Sequence, residues 1–154
     1  MQDGKQLKYG QIRGGEEGFE VKVATSQYIA AAGGKFVKRT GTNTATVTLA
    51  TASDTDILGH IEVQELNSSN GTEVVKCVND PTAVFRVPVS GGTYALTMRG
   101  KTCDLKTTAG VQGAALNSSS YDQLIIVNGD IDNNNWVDVQ LNAGVIDATK
   151  VGVV

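Results

Sequence analysis

The sequence predicts an all-β (mainly β) protein made of small barrel-like or sandwich-like β units, with an extended N-terminal arm and at most one or two short helical turns. Apolar residues alternate with polar ones over much of the chain, which is the pattern of half-buried strands. Turn residues separate these runs at intervals of roughly 8 to 12 residues. Apolar residues make up 40% of the chain but aromatic residues only 5%. The core is therefore expected to consist mainly of Val, Ile, Leu and Ala.

The chain length of 154 residues predicts one domain or two very small ones. We predict a flexible arm over residues 1–18, an N-terminal β unit over 19–90 and a C-terminal β unit over 91–154. The boundary is placed at the glycine pair 91–92. One continuous domain over 19–154 is the alternative.

The arm holds five glycines and few apolar side chains. Such a segment buries too little apolar surface to offset its ordering entropy, so we predict that it is disordered alone and orders on a partner. Its isolated apolar residues Leu7, Tyr9 and Ile12 are the candidate docking residues. They would lie along the partner as a strand added to an exposed sheet edge.

Alternating runs over 19–24 and 44–49 predict the first strands of the N-terminal β unit. Two further runs, 61–66 and 72–78, flank a polar segment that ends in Asn70-Gly71. Asn-Gly tolerates the positive φ angles of a tight turn, so these runs predict a β-hairpin. Residues 28–32 are compatible with either a helical turn or the start of a strand.

Residues 83–89 predict an edge-like strand that Pro88 interrupts, because proline lacks the amide hydrogen of a ladder. Thr93 is predicted to cap a short helical turn over 94–99, which Gly100 would end.

Residues 121–127 and 136–141 predict a second hairpin around a polar loop at 128–135. This loop contains Asp130-Ile131-Asp132-Asn133-Asn134, which imitates the opening of a calcium-binding loop. A calcium-binding loop needs a glycine at its sixth position and a bidentate Glu at its twelfth. This sequence has Asn135 and Leu141 at those positions. We therefore predict a polar turn, no metal site and no cofactor.

The sequence lacks the usual constellations of catalysis, which predicts that the protein is not an enzyme. His60 is the single histidine and is expected to be structural. Asp54 and Asp56 are expected to lie in a turn. The spacing of Cys77 and Cys103 matches no zinc or redox motif, so we expect two reduced, buried thiols.

The glycines of the arm form no phosphate loop, because no Lys-Ser, Lys-Thr or helix follows them. The net charge of -3, with 13 Lys and Arg against 16 Asp and Glu, predicts no nucleic-acid partner. The apolar stretches are far too short to span a bilayer, and we expect no membrane partner. The N-terminal residues lack the apolar core of a signal peptide, which predicts a protein made and kept in a cytoplasm.

Aromatic side chains raise a second possibility, a carbohydrate-binding or fibre module on a virion or cell surface. Exposed rings suit stacking on sugars. Core and hydrogen-bonding roles are the favoured interpretation of the five candidates, which are Tyr9, Tyr28, Tyr94, Tyr121 and Trp136.

The order of several segments resembles the small decoration, or cement, proteins that coat the heads of tailed bacteriophages, especially marine and cyanobacterial phage versions. The likeness covers most of residues 20–142, and one segment is a polar turn followed by Ile57-Leu58-Gly59. The segments that carry it are 28–38, 50–59, 79–88, 100–105 and 132–139.

The resemblance implies a structural virion protein with no catalytic residues and no cofactor. It would bind the major capsid protein on the outer capsid surface and stabilise the capsid lattice against the pressure of packaged DNA. The family is often trimeric, so a homotrimer is expected. Assembly would take place in the cytoplasm of the bacterial host.

Overall fold

The computed structural model describes residues 9–14, 18–41, 46–68, 71 and 73–146. About half of the structure is β-strand, and helical structure is confined to short 3-10 turns such as Leu96–Met98 and Ala143–Val145. The predicted all-β class, with small barrel units, is confirmed. Within the described ranges, none of the helical segments has the length and apolar character needed to cross a membrane.

Thirteen strands are described, and most are short. In chain order they are β1 (Gly10–Arg13), β2 (Phe19–Val23), β3 (Gln27–Ile29), β4 (Phe36–Arg39), β5 (Thr46–Leu49), β6 (Gly59–Ile61), β7 (Leu66–Ser68), β8 (Val74–Val78), β9 (Val84–Gly91), β10 (Thr102–Thr108), β11 (Val111–Ala115), β12 (Leu124–Gly129) and β13 (Trp136–Leu141).

The first barrel closes in the order β2-β5-β4-β6-β8, with β8 pairing back to β2. The β2–β5 pair is parallel and the other pairs are antiparallel. Alternate residues of these strands point inward, as in β2, where Val21 and Val23 are buried while Glu20 and Lys22 are exposed. The separate pair of β3 and β7 contributes Ile29 to the same core.

The second barrel closes in the order β9-β11-β10-β12-β13, with β13 pairing back to β9. Strand β1 adds to β9 as the end of this sheet. The β9–β11 pair is parallel. The core is built mostly of aliphatic side chains around Phe85, and Leu105, Leu124 and Val139 are fully buried.

The two barrels share a joint. This name is used here for the contact that β6 and β4, with the residues flanking β4, make with β9 and β11. Phe36 and Ala50 from the first barrel belong to the core cluster that also contains Phe85. The buried amide of Gln112 spans this contact. Its Oε1 accepts a hydrogen bond from the backbone N–H of Phe36, and its Nε2 donates to the carbonyl oxygens of Phe36 and Ala50.

The predicted boundary at the glycine pair is displaced by one strand. Strand β9 falls inside the predicted 19–90 unit, yet its pairing partners are β1, β11 and β13 of the second barrel. The glycines 91–92 therefore end a strand of the second barrel and do not separate two units. Local turn signals mark the ends of strands but do not indicate which strands will pair.

Pro88 does not interrupt β9, and β9 is not an edge strand. Val89 donates its N–H to the carbonyl oxygen of Asn135, on the β13 side. Donor direction alternates along a strand, so the nitrogen of Pro88 faces the opposite side. On that side, the pairing of β9 with β1 extends as far as Arg86 and its pairing with β11 starts at Val89. Pro88 lies between these two paired regions. The missing N–H of Pro88 therefore removes no backbone hydrogen bond between strands.

The first predicted hairpin is wrong as a local unit. Strands β6 and β8 do pair, with His60 opposite Val78, but β7 lies between them in sequence and pairs with β3. The connection between β6 and β8 is therefore longer than a hairpin turn and contains β7. Gly71 adopts the positive φ predicted for it, 71°, while Asn70 lies outside the described residues.

The second predicted hairpin is confirmed as the antiparallel pair of β12 and β13. The predicted helical turn shortens to Leu96–Met98, and the residue preceding it, Ala95, makes no side-chain cap. Thr93 is therefore not the cap. Gly100 has the positive φ expected at the end of the turn, and residues 27–29 form a strand rather than a helical turn.

Candidate functional site

The structure describes two of the three candidate docking residues, and their environments differ. Tyr9 is buried, with 9% of its surface exposed, and Ile12 is 43% exposed. Leu7 lies outside the described residues. Only Ile12 is therefore placed by the structure where it can touch a partner directly.

The described part of the arm is a strand and not a free segment. Gly10 lies opposite Arg86 and Gln11 opposite Phe85, so β1 is hydrogen-bonded to β9. The register shifts between Gln11 and Arg13, which places Ile12 at an irregularity of the edge. The prediction of a disordered arm is thus wrong for residues 10–13. The backbone pairing supplies the stabilisation that the sparse apolar side chains do not.

Gly14 explains how the chain leaves β1. Its φ is +86°, a conformation that costs glycine little and other residues more. A Cβ at this position would lie 2.6 Å from Cα of Ala83 and 2.7 Å from the carbonyl oxygen of Thr82. The side chain of Gln11 also donates to the carbonyl oxygen of Gly14 at 2.8 Å. These contacts hold the end of β1 against the segment that precedes β9.

An ion pair next to β1 joins β9 to β13. Arg86 donates two hydrogen bonds to the carboxylate of Asp138, from Nε at 2.8 Å and from Nη2 at 3.1 Å. This hydrogen bonding raises the pKa of the Arg86 guanidinium, against the opposing effect of burial. The guanidinium carbon also lies 3.7 Å from the centre of a Trp136 ring. No local pattern in the sequence predicts this cluster, because it depends on the register of two strands about 50 residues apart.

The aromatic residues do not form a common sugar-binding face. Tyr94 is buried, and one face of Trp136 is covered by Arg86. The exposed tyrosines are Tyr28 and Tyr121.

The two exposed tyrosines contact opposite ends of the β10–β11 hairpin. The ring of Tyr28 lies over Gly110 at the turn, whereas the backbone N–H of Tyr121 donates to the Asp104 carboxylate near the other end. The strand residues between these points span about 13 Å or more.

The calcium-like loop is organised as a polar turn, as predicted. The Asp130 carboxylate accepts hydrogen bonds from the backbone N–H groups of Asn133 and Asn135, which leaves it turned toward its own loop. Asn134, with a φ of 54°, links the loop to the segment before the 3-10 turn. It accepts from the N–H of Tyr94 and donates to the carbonyl oxygen of Gly92.

Asp54 and Asp104 also act as turn organisers. Burial acts to raise the Asp54 pKa, but hydrogen bonds from Lys38 and Thr51 outweigh it and hold the pKa below its usual value. Asp104 is buried and accepts hydrogen bonds from the Ser118 hydroxyl and from backbone N–H groups of residues 120–122. These bonds outweigh the effect of burial and lower the Asp104 pKa.

The cysteines are both buried and unpaired, as predicted. Burial raises the pKa of Cys77 and of Cys103 to about 12, so neither is a reactive thiolate at neutral pH. Nowhere in the described part of the chain do three His, Cys, Asp or Glu side chains come together as a metal-binding group.

A polar surface cleft of about 380 Å³ lies beside the 3-10 turn. Two of its hydroxyls are engaged with carboxylates, Ser118 with Asp104 and Thr102 with Asp122. No His, Cys, Asp or Glu is among the residues that line it, which are Thr97, Met98, Lys101, Thr102, Leu116, Asn117, Ser118, Ser119 and Ile126. The one ionisable side chain among these lining residues is that of Lys101.

Comparison with known proteins does not assign a family. No protein-family model matches the chain, and no curated protein matches it.

Proposed function

We propose that this protein is a structural component of a bacteriophage virion that binds the outer surface of the capsid and stabilises the lattice of the major capsid protein. The observation that carries the proposal is the position of β1. It is the terminal strand of its sheet, and it carries the exposed apolar side chain of Ile12. Terminal strands readily accept a further strand from a partner.

The proposed contact is anchored to a rigid support. Buried Tyr9 and the β1–β9 ladder fix the base of the N-terminal segment, and the Arg86–Asp138 pair ties β9 to β13 beside it. A strand held in this way loses little further entropy when it binds. Residues 1–8 precede this anchored strand, and in this proposal Leu7 extends the contact.

A role of this kind requires neither an active site nor a cofactor, and we propose none. Many weak contacts are sufficient, because each bound copy that contributes a few kcal/mol adds to the stability of the assembled shell. The negative net charge of -3 makes a protein surface a better partner than nucleic acid. The partner in this proposal is the major capsid protein.

The proposed oligomer is a homotrimer, and the proposed location is the outer capsid surface after assembly in the bacterial cytoplasm. The monomer mass is 16.1 kDa, so light scattering on the eluting protein separates a trimer from a monomer. A monomer at all micromolar concentrations contradicts a solution trimer. A trimer that forms only on the capsid then has to be sought on decorated heads.

The function is tested by co-sedimentation with undecorated heads of the phage that encodes this chain. The wild-type protein is expected to sediment with the heads in a saturable manner. The Ile12→Ser variant should bind at least about tenfold more weakly, a difference of about 1.4 kcal/mol. Leu96→Ser is the matched control, because Leu96 is also exposed, at 56%, but lies on the 3-10 turn of the second barrel.

The possible outcomes distinguish the proposed capsid-binding function from the proposed docking surface on β1. Failure of the wild-type protein to bind heads at micromolar concentration contradicts the proposed function. Full-strength binding by Ile12→Ser, with normal wild-type binding, leaves the function in place and moves the docking surface away from β1. Equal weakening by Ile12→Ser and Leu96→Ser also argues against β1 as the specific surface.

A further inference from the structure

The joint between the barrels contains the single histidine of the chain. His60, on β6, is 1% exposed. Its ring stacks on Phe85, with ring centres 4.3 Å apart and planes inclined by 22°, and it meets the edge of Phe36 at 4.9 Å and 80°. Phe36 belongs to the first barrel and Phe85 to the second. The imidazole is therefore packed between side chains from both barrels.

The hydrogen bonding of His60 identifies a neutral ring. The backbone N–H of Lys35 donates to its Nε2 at 3.3 Å. A nitrogen that accepts a hydrogen bond carries no hydrogen, so the proton of the neutral imidazole is on Nδ1. Nδ1 lies 3.4 Å from Oε1 of Glu62, and among the described residues these two buried atoms have no hydrogen-bond partner.

The charged neighbours of the ring come from the residues flanking β4 and β6. Glu62 is the carboxylate that faces it, and Lys35 places a buried amine nearby that donates to the carbonyl oxygen of Gly33 at 2.7 Å. From β8 the titratable neighbour is the neutral thiol of Cys77, and from β9 the ring meets uncharged Phe85. Burial lowers the pKa of His60, with Lys35 acting in the same direction and Glu62 opposing them.

We propose that His60 makes the joint between the two barrels acid-sensitive. A proton on Nε2 removes the acceptor of the Lys35 N–H and places a cation between the rings of Phe36 and Phe85. Attraction between a cation and an aromatic ring is smaller than the loss of hydration of a buried charge. Opening the joint returns the charged imidazole to water, so acid favours the open form. This inference is independent of the proposed capsid function.

The direction and the pH window follow from proton linkage. In the open form His60 titrates near its ordinary pKa of about 6.5. In the closed form its pKa is lower. Below about pH 6.5 the open form therefore binds a proton that the closed form does not, and the equilibrium constant for opening rises toward about tenfold per pH unit. Asp54 and Asp104 have lowered pKa values, so both remain ionised across this window.

The test follows the intact protein by NMR and hydrogen exchange between pH 7.5 and 5.5. The single histidine gives an unambiguous imidazole signal. The joint is reported by the amides of Gly34 and Phe36, which donate to the backbone and side chain of Gln112. Their protection, corrected for the intrinsic exchange rate, should fall with pH while amides of the β12–β13 ladder keep theirs. Constant protection at the joint, or a charged His60 within an unchanged joint, overturns the proposal.

His60→Gln is the matched variant, because its side-chain oxygen can still accept from Lys35 but does not titrate in this range. We expect protection at Gly34 and Phe36 to lose its pH dependence in this variant, whatever its overall stability. If the variant keeps the wild-type pH dependence, His60 is not the sensor and the proposal is wrong. If the variant does not fold, the wild-type imidazole titration still decides between the two outcomes.

Discussion

The guanidinium of Arg86 and the carboxylate of Asp138 form a two-pronged hydrogen-bonded pair across β9 and β13, the two strands whose pairing closes the second barrel. The side chain of Asp138 is only 6% exposed, whereas that of Arg86 is 32% exposed. Loss of Arg86 therefore leaves a buried carboxylate without its partner, whereas loss of Asp138 leaves a guanidinium that is partly in contact with water.

Removal of Arg86 should cost more than removal of the pair. Arg86→Met leaves the buried Asp138 carboxylate without its charged partner, and we expect a loss of about 2 to 3 kcal/mol in the free energy of unfolding. The double variant Arg86→Met/Asp138→Leu should recover a large part of this loss. Urea unfolding of both variants checks the prediction, and equal loss in the single and double variants contradicts it.

The amine of Lys35 should give stability a distinct dependence on alkaline pH. Burial lowers its pKa from 10.5 to about 8, opposed by the attraction of Glu62. Between pH 8 and 10.5 the unfolded chain binds a proton that the folded chain lacks, so the stability of the fold rises with pH by up to about 1.4 kcal/mol per unit. Below pH 8 both states are protonated and this contribution is constant.

The Lys35→Met variant removes this titration. The difference in the free energy of unfolding between wild type and variant should change across pH 8 to 10.5 and stay flat from pH 6 to 8. A constant difference across the whole range would mean that the Lys35 amine reaches water in the folded state.

Gly71 tests the turn predicted from the sequence. Its φ is +71°, and a Cβ at this position would lie 2.9 Å from Cγ2 of Thr25. Gly71→Val should therefore reduce stability by more than about 1 kcal/mol. Gly144→Ala is the control, because its nearest contact would be Asn142 Oδ1 at 3.8 Å and its φ is not positive. Equal denaturation midpoints for the two variants would contradict the observed conformation of Gly71.

Two truncations separate the anchored part of the N-terminal segment from the residues before it. Deletion of residues 2–17 removes buried Tyr9 and the β1–β9 ladder, so it should reduce stability by about 2 kcal/mol or more. Deletion of residues 2–8 leaves β1 and Tyr9 in place and should lower the melting temperature less than the longer deletion does. Thermal unfolding of both truncated proteins checks this, and equal melting temperatures for the two would contradict an anchoring role of β1.

The sequence predicts local features of this fold better than its pairing. The polar turn at Asp130, the left-handed Gly71 and the β12–β13 hairpin are encoded within a few residues, and each is found as predicted. Local signals place strand β9 in the wrong unit, because its partners lie up to about 75 residues away in sequence. Local propensity carries no information about such distant partners.

The candidate site shows the same difference between local features, which the sequence predicts, and long-range contacts, which it does not. The isolated apolar residues of the arm are visible in the sequence, but the burial of Tyr9 depends on β1 pairing with β9. The sequence predicts a structural role for His60, and the residue is buried. Its place between Phe36 and Phe85 could not be predicted, because it results from the contact between two separately closed barrels.

We propose that this protein stabilises a phage capsid, and the release of DNA from heads on heating measures that stabilisation. DNA-filled heads that lack the protein are heated with and without a saturating amount of it, and DNA release is followed with an intercalating dye. We predict that saturation raises the release temperature and that Ile12→Ser requires a higher concentration for the same increase. An unchanged release temperature on heads shown to carry the bound protein would contradict the claim.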